Sequence, residues 1–180
     1  MNRRYTVSEI ADIICQADGL VSDDYRQAYS QLRQALRREM MPGGEVVDAR
    51  GTLAFAPLEI YRARLINALM DFRIPLPAIE EVLSRALADV RPPLGFSGNW
   101  RGLESVIDRA AKGERWSMVV SLWRPGFTHG KRLTGIIVPG DGSRSEDDAI
   151  LDTTFGTGAP LGRLVLDLNT LFAGLPAPEA

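Results

Sequence analysis

Few residues in this chain are of a type that does covalent chemistry. There is one cysteine, Cys15, and one histidine, His129. A single thiol excludes an intramolecular disulfide and any multi-cysteine metal site, and a single imidazole excludes the His-rich zinc sites. His129 sits in Gly126-Phe127-Thr128-His129-Gly130, a turn-like loop, where the ordinary role of a histidine is a solvated or hydrogen-bonded one. Cys15 lies beside Ile13 and Ile14 on an apolar helix, the setting of a buried structural thiol. Asp147, Asp148 and Asp152 lack the alternating ligands and central glycine of a calcium loop. Gly156-Thr157-Gly158 runs into Ala159-Pro160, so it does not open a phosphate-binding helix. No catalytic constellation emerges; the expectation is a non-enzyme without cofactor or metal.

The residue type that stands out is arginine. Lys plus Arg number 21 against 23 Asp plus Glu, a formal net charge of −2, and only Lys112 and Lys131 are lysines. The guanidinium fork matches phosphates and the acceptor edge of guanine, so the placement of the arginines decides what they can do. Arg26, Arg33 and Arg37 fall within about 40° of one another on a helix of about 100° per residue. The apolar stripe expected for that helix is Tyr25, Tyr29, Leu32, Leu36 and Met40, about a quarter turn away. Burying it would leave three guanidiniums projecting together, with Gln27, Ser30, Gln31 and Gln34 as neighbouring hydrogen-bonding side chains. Arg50 stands at the tip of an expected hairpin, and Arg3 and Arg4 form a short basic arm. The bland alternative is a solvated face paired with Glu39 or Asp23. Residues 1–91 hold 12 Arg against 13 Asp plus Glu, a balance of −1, so any affinity for DNA must come from the local patch and from dimerisation.

The elements that would position these residues read as follows. Thr6 and Glu9 fit a capping box before Val7, Ile10, Ala11 and Ile14, with a stop at Ala17-Asp18-Gly19. A Ser22 cap with Asp23 and Asp24 opens a second helix, expected over 23–41 and ended by Pro42-Gly43-Gly44. Residues 45–55 form two strand-like runs about Arg50-Gly51, a β-hairpin. Pro57 begins a third helix carrying Leu58, Tyr61, Leu65, Leu69 and Phe72, and Pro77 a fourth carrying Ile79, Val82, Leu83, Ala86 and Leu87. Pro92-Pro93 and the glycines after them mark a linker at 92–98. Beyond it, 102–111 reads as a short helix, 116–123, 132–138 and 163–168 as strands, and 168–175 as a closing helix. The fold class is therefore α+β, a domain at 1–91 followed by a small α+β domain at 99–180.

Helix, helix, hairpin, helix, helix is the winged-helix order. Tyr5-Thr6-Val7-Ser8-Glu9-Ile10-Ala11 resembles the opening helix of MerR-type regulators. The hairpin running into Leu58-Glu59-Ile60-Tyr61-Arg62-Ala63-Arg64-Leu65-Ile66, and then Phe72-Arg73-Ile74-Pro75-Leu76-Pro77-Ala78-Ile79-Glu80-Glu81-Val82-Leu83, is similar to that family's third and fourth helices. The resemblance covers the first half of the chain. The chain departs from the family in three respects: Cys15 to Ser22 makes a longer connection than the family's helix–turn–helix, the R-Y-Y-E signature of the reading helix is absent with Arg26-Gln27-Ala28-Tyr29 a loose echo of it, and the long dimerising coiled coil is absent.

The resemblance and the arginine face together imply a sequence-specific transcriptional regulator that binds double-stranded DNA as a homodimer. Helix 23–41 would enter the major groove and hairpin 45–55 would act as the wing. Arg3, Arg4, Arg26, Gln27, Ser30, Arg33, Gln34, Arg37 and Arg50 would be the DNA-contacting set. Two alternatives stay open: a protein–protein adaptor or antagonist whose winged helix no longer binds DNA, and an excisionase-like architectural DNA-binding protein. The second domain would serve dimerisation, an effector, or a partner such as RNA polymerase; Trp100, Trp116 and Trp123 would build its core, a subunit interface or a small-ligand pocket. The first residues show no signal peptide, and no run of about 18 uncharged apolar residues could span a membrane, which sets the expectation of a cytoplasmic protein.

Overall fold

Thr6 begins the first helix by local chemistry alone. Its hydroxyl accepts the Glu9 N–H at 3.3 Å, while Glu9 Oε2 accepts the Thr6 N–H at 2.7 Å, so two otherwise orphaned donors are satisfied by one side-chain pair. The computed structural model describes residues 3–19, 22–87, 96, 98–123, 131–142 and 160–177, with the side chains of 22 and 23 left out. Within them the order is β1 Tyr5–Thr6, α1 Val7–Ala17, α2 Ser22–Arg37, β2 Glu45–Val46, β3 Leu53–Phe55, α3 Leu58–Asp71, α4 Leu76–Ala86, α5 Leu103–Ala110, β4 Trp116–Trp123, β5 Arg132–Pro139, β6 Gly162–Asp167 and α6 Leu168–Phe172. This is an α+β protein with two three-stranded antiparallel sheets.

The chain divides into two compact units, Met1–Ile79 with Phe172–Ala180, and Glu80–Leu171. In the first, α3 is the central element. Ile60, Tyr61, Ala63, Leu65, Ile66, Asn67, Ala68 and Leu69 are all buried, which leaves almost no solvent face on this helix. It packs against α1, α2 and β3, and Ile10, Ile14, Leu32 and Phe55 complete the core. Arg64 Nη2 reaches Asp18 Oδ1 at 2.7 Å, tying α3 to the end of α1. The last residues close on the same helix: the Tyr61 hydroxyl donates to the Pro176 carbonyl at 2.9 Å, and the Phe172 ring meets the Tyr61 ring edge-on at 5.0 Å.

Helix α2 differs from its expected form in two respects. It stops at Arg37, before the Pro42-Gly43-Gly44 breaker. Glu39 takes φ +56°, and the Met40 N–H then reaches the Ala35 carbonyl at 3.1 Å while the Glu39 N–H reaches Leu36 at 2.9 Å. These are the two bonds of a Schellman cap, with Met40 folding under as its apolar contact. The buried face also lies elsewhere. Ala28, Gln31, Leu32 and Ala35 are buried, while Tyr25, Tyr29 and Leu36 are only half-buried. The small side chains of Ala28 and Ala35 share the buried face with Leu32, and the larger Tyr25 and Tyr29 lie at its edge.

The second unit is built on β4, paired antiparallel with β5 on one side and β6 on the other. Its residues are buried along nearly the whole strand, a run rather than an alternation, as expected of a strand covered on both faces. The Trp123 indole N–H donates to Thr134 Oγ1 at 2.9 Å. Asp167 caps α6 by accepting the Asn169 and Thr170 N–H groups at 3.0 and 3.3 Å, and Asn169 Oδ1 accepts the Trp116 N–H at 2.8 Å. Gly135 lies against α4: a Cβ there would meet Val82 Cγ1 at 2.6 Å and the Val82 carbonyl at 3.1 Å. Phe96, Trp100 and Trp116 form an aromatic group with centroids 5.0 to 6.3 Å apart. Of the linker expected at 92–98, only Phe96 and Gly98 lie within the described residues.

Candidate nucleic-acid interface

The arginine face of α2 is set by which face is buried. At roughly 100° per residue, Arg26, Arg33 and Arg37 lie about half a turn from Ala28, Leu32 and Ala35. All three arginines are exposed, with Ser30 and Gln34 exposed beside them. The Arg33 guanidinium lies 5.9 Å from the centroid of the Tyr29 ring, an aromatic platform that restrains the side chain while its N–H edges stay available to acceptors. Tyr29 in turn stacks on Tyr25 at 5.9 Å, and the Tyr25 hydroxyl is 2.9 Å from Ser8 Oγ. The half-buried tyrosines thus connect the arginine face to α1.

Gln27 and Gln31 are engaged elsewhere. Their side-chain amides donate to Asp71 Oδ1 at 3.3 and 3.2 Å, across the α2–α3 contact. Gln31 is buried. Reading a base with Gln27 would require giving up its bond to Asp71, whereas Ser30 and Gln34 carry no such tie among the described hydrogen bonds.

The hairpin is the second element. β2 and β3 pair with Glu45 opposite Ala54 and Val46 opposite Leu53, and the Val47 N–H bonds the Thr52 carbonyl at 2.9 Å. Its tip is organised by Asp48, whose Oδ1 accepts the N–H of Arg50 and of Thr52, both at 2.9 Å, and whose Oδ2 accepts the Thr52 hydroxyl at 2.7 Å. These bonds to its charged form, those from Thr52 first, hold the Asp48 carboxyl below its ordinary range. Gly51 takes φ +77° and donates to the Asp48 carbonyl at 3.1 Å, a backbone that a side chain there would strain. Arg50 therefore projects from a fixed turn, exposed. Val46 and Val47 beside it are large exposed apolar side chains, at 65 and 53%.

Arg3 and Arg4 are not a free arm. The Arg4 guanidinium pairs with the Glu45 carboxylate and donates to the Gly43 carbonyl at 3.4 Å. Arg3 lies over the Tyr5 ring at 4.8 Å. The reason is β1, whose Tyr5 and Thr6 pair with Phe55 and Ala54 and so hold the start of the chain against the hairpin. A two-residue strand leaves no periodic signal in the sequence. Asp48 and Asp71 were missed; the Asp-x-x-Gly spacing of 48–51 is the turn signal that would have found the first.

Elsewhere the residues with chemical potential offer little. Cys15 is buried, and its thiol is pushed up first by burial and then by the charges of Asp18, Asp24 and Asp12, as suits an inert structural thiol. Among the described residues no three His, Cys, Asp or Glu side chains are grouped to hold a metal ion, and no helix is long and apolar enough to cross a membrane. His129, Asp147, Asp148, Asp152 and Gly156-Thr157-Gly158 lie outside the described residues. No protein-family model, curated protein or solved structure matches this chain.

Proposed function

We propose that this chain is a sequence-specific DNA-binding regulator of the winged-helix type. In this reading α2 lies in the major groove, the 45–55 hairpin grips the adjacent backbone as a wing, and two copies read two half-sites. The observation that carries it is the face of α2 opposite its buried side, where Arg26, Ser30, Arg33, Gln34 and Arg37 are exposed together. Arg33 is the principal base-contacting candidate because Tyr29 restrains its guanidinium. Arg50 is the wing contact, and the second unit supplies dimerisation or a partner surface.

The test is a gel shift of the purified protein against the DNA upstream of its own gene, at two salt concentrations with excess non-specific competitor. A discrete band that resists competitor and weakens steeply with salt is the expected result, because each phosphate neutralised releases counterions. No band from a folded protein rejects the reading.

A second reading, a protein-binding adaptor built on the same fold, is favoured by the charge balance of −1 over residues 1–91 and by the exposed Val46 and Val47. Partner affinity that is nearly insensitive to salt, with no DNA shift, identifies it.

A further inference from the structure

The sheet of the second unit has two edges, and its own sequence blunts only one of them. Opposite residues of an antiparallel pair alternate between bonded and unbonded, so the side each β4 residue bonds to can be followed along the strand. The Trp116 N–H reaches Asn169 Oδ1 at 2.8 Å and the Leu122 carbonyl accepts the Leu161 N–H at 2.7 Å, both on the β6 side. The Arg115 carbonyl accepts the Gly140 N–H at 2.7 Å on the β5 side. Even-numbered residues of β4 therefore hold β6, and odd-numbered ones hold β5. Through the register, Leu164 and Leu166 bond back to β4, while Arg163, Val165 and Asp167 turn their N–H and C=O groups outward. On β5 the outward residues include Gly135 and Pro139. Gly135 lies against α4 and Pro139 has no N–H to offer, which blunts that edge. Among the described residues no strand pairs with the outer side of β6.

The charges on β6 fit a partner of the same sequence. Charged side chains on an edge ordinarily discourage an incoming strand. If β6 of a second copy lies antiparallel with Val165 opposite Val165, the outward backbone groups of the two strands meet, and Arg163 stands opposite Asp167 at both ends. All these side chains lie on one face, by the period of two. Two identical charge pairs then flank an apolar centre across a two-fold axis, whereas a register shifted by two residues sets Arg163 against Val165 and breaks both pairs. Val165 is 43% exposed and Leu161, just before the strand, 54%. Asp167 accepts the Asn169 and Thr170 N–H groups, which fixes its carboxylate at the strand end and leaves lone pairs for a guanidinium. Helix α6 turns back toward β4, where the Asn169 amide donates to the Glu114 carbonyl at 2.8 Å, and so does not cross the edge. We propose that two copies of this chain pair through β6, antiparallel about Val165, into one six-stranded sheet. This deepens the regulator reading by supplying the second copy it requires. The pairing is tested without DNA, so a failed dimer and failed DNA binding are separate results.

The experiment is sedimentation velocity of the full chain over a concentration series, with amide exchange measured at its two ends. A monomer–dimer equilibrium is expected, with exchange at Val165 and Asp167 slowing as the dimer fills and exchange at Ile137, outward on β5, unchanged. Val165→Pro removes an N–H that the monomer's ladder does not use, so the dimer should be lost while the sheet persists. Arg163→Glu, an exposed change, sets like charges opposite each other at both ends and should weaken dimerisation about ten-fold, which corresponds to about 1.4 kcal/mol. If Val165→Pro does not fold, Arg163→Glu carries the test alone. A monomer at every concentration, a dimer whose affinity Arg163→Glu leaves unchanged, or concentration-dependent protection at Ile137 in place of Val165 overturns the proposal.

Discussion

Asp48 and Thr52 are joined twice in the hairpin, once through the Thr52 backbone N–H at 2.9 Å and once through its hydroxyl at 2.7 Å. The pair closes the loop that presents Arg50, so the direction of that guanidinium is a property of Asp48 as much as of Arg50 itself. Asp48→Ala should therefore loosen the tip while leaving strands β2 and β3 paired. Its signature is faster amide exchange at Arg50 and Thr52, with core amides unchanged. Because these bonds lower the Asp48 pKa, the ordered tip is fully present above the ordinary carboxylate range and is lost as pH falls through the lowered value. Exchange at Arg50 that is the same in wild type and Asp48→Ala would show that the carboxylate orders nothing.

Arg33 and Gln27 lie on one helix and make opposite predictions. Arg33→Ala should weaken specific DNA binding by about 1–3 kcal/mol if the guanidinium contacts a base, with little change in thermal stability because the side chain is exposed. Gln27→Ala should act mainly on the fold, through its lost bond to Asp71, by about 0.5–1.5 kcal/mol. Anisotropy titrations at fixed salt, beside melting curves, separate the two. Unchanged operator affinity in Arg33→Ala removes α2 as the reading helix.

Glu59 gives the first unit a pH dependence. It stands in the first turn of α3, 6% exposed, with Arg62 Nε 3.2 Å from its Oε2. Burial pushes its carboxyl up from 4.5 to about 7, against the lowering effect of Arg62. A folded-state pKa above the unfolded one means that the native protein binds this proton more tightly. The stabilisation is fully present below pH 4.5 and is lost as pH rises through about 7. Across that window the contribution of this group falls by roughly 2–3 kcal/mol. Urea denaturation between pH 5 and pH 8 should show this slope flattened in Glu59→Gln; an equally steep slope in that variant assigns the dependence to another group.

Local chemistry was legible in the sequence and long-range partners were not. The Thr6–Glu9 box, the hairpin about Gly51 and the strands of the second unit each announce themselves within a few residues, by cap spacing, turn chemistry or an apolar run. The buried face of α2 does not: Ala28 and Ala35 share it with Leu32, and Gln31 is held there by a carboxylate 40 residues away. Strand β1 exists only because Phe55 and Ala54 offer it an edge. The arginines of the α2 face were visible as a cluster. Their relation to the core, half a turn from it rather than a quarter, required the fold, as did the ion pair that draws Arg4 onto Glu45.

Glu39 shows how a helix end can be improved. Its φ of +56° costs an L-residue roughly 1–2 kcal/mol, and its negative charge stands at the end of α2 where the dipole disfavours it. Glycine removes both penalties and loses some of the gain to the greater freedom of the unfolded chain. Glu39→Gly should stabilise the protein by about 0.5–1 kcal/mol, seen as a higher denaturation midpoint at unchanged slope. Destabilisation would mean that the Glu39 side chain makes an interaction worth more than the strain.

Gly135 and Val82 allow the packing of β5 on α4 to be tested as a pair. A methyl group at 135 would lie 2.6 Å from Val82 Cγ1, well inside van der Waals contact. The Val82 carbonyl at 3.1 Å limits how far the strand can shift away. Gly135→Ala should thus cost about 1–3 kcal/mol as an overpacked core substitution. Val82→Ala alone opens a small void and costs a similar amount. In the double variant the new methyl occupies the space that Val82 vacates, so its destabilisation should be less than the two single costs together, with a coupling of about 0.5–3 kcal/mol. Strictly additive costs would mean that β5 moves off α4 in the single variant, and that the valine side chain is not what excludes a larger residue at 135.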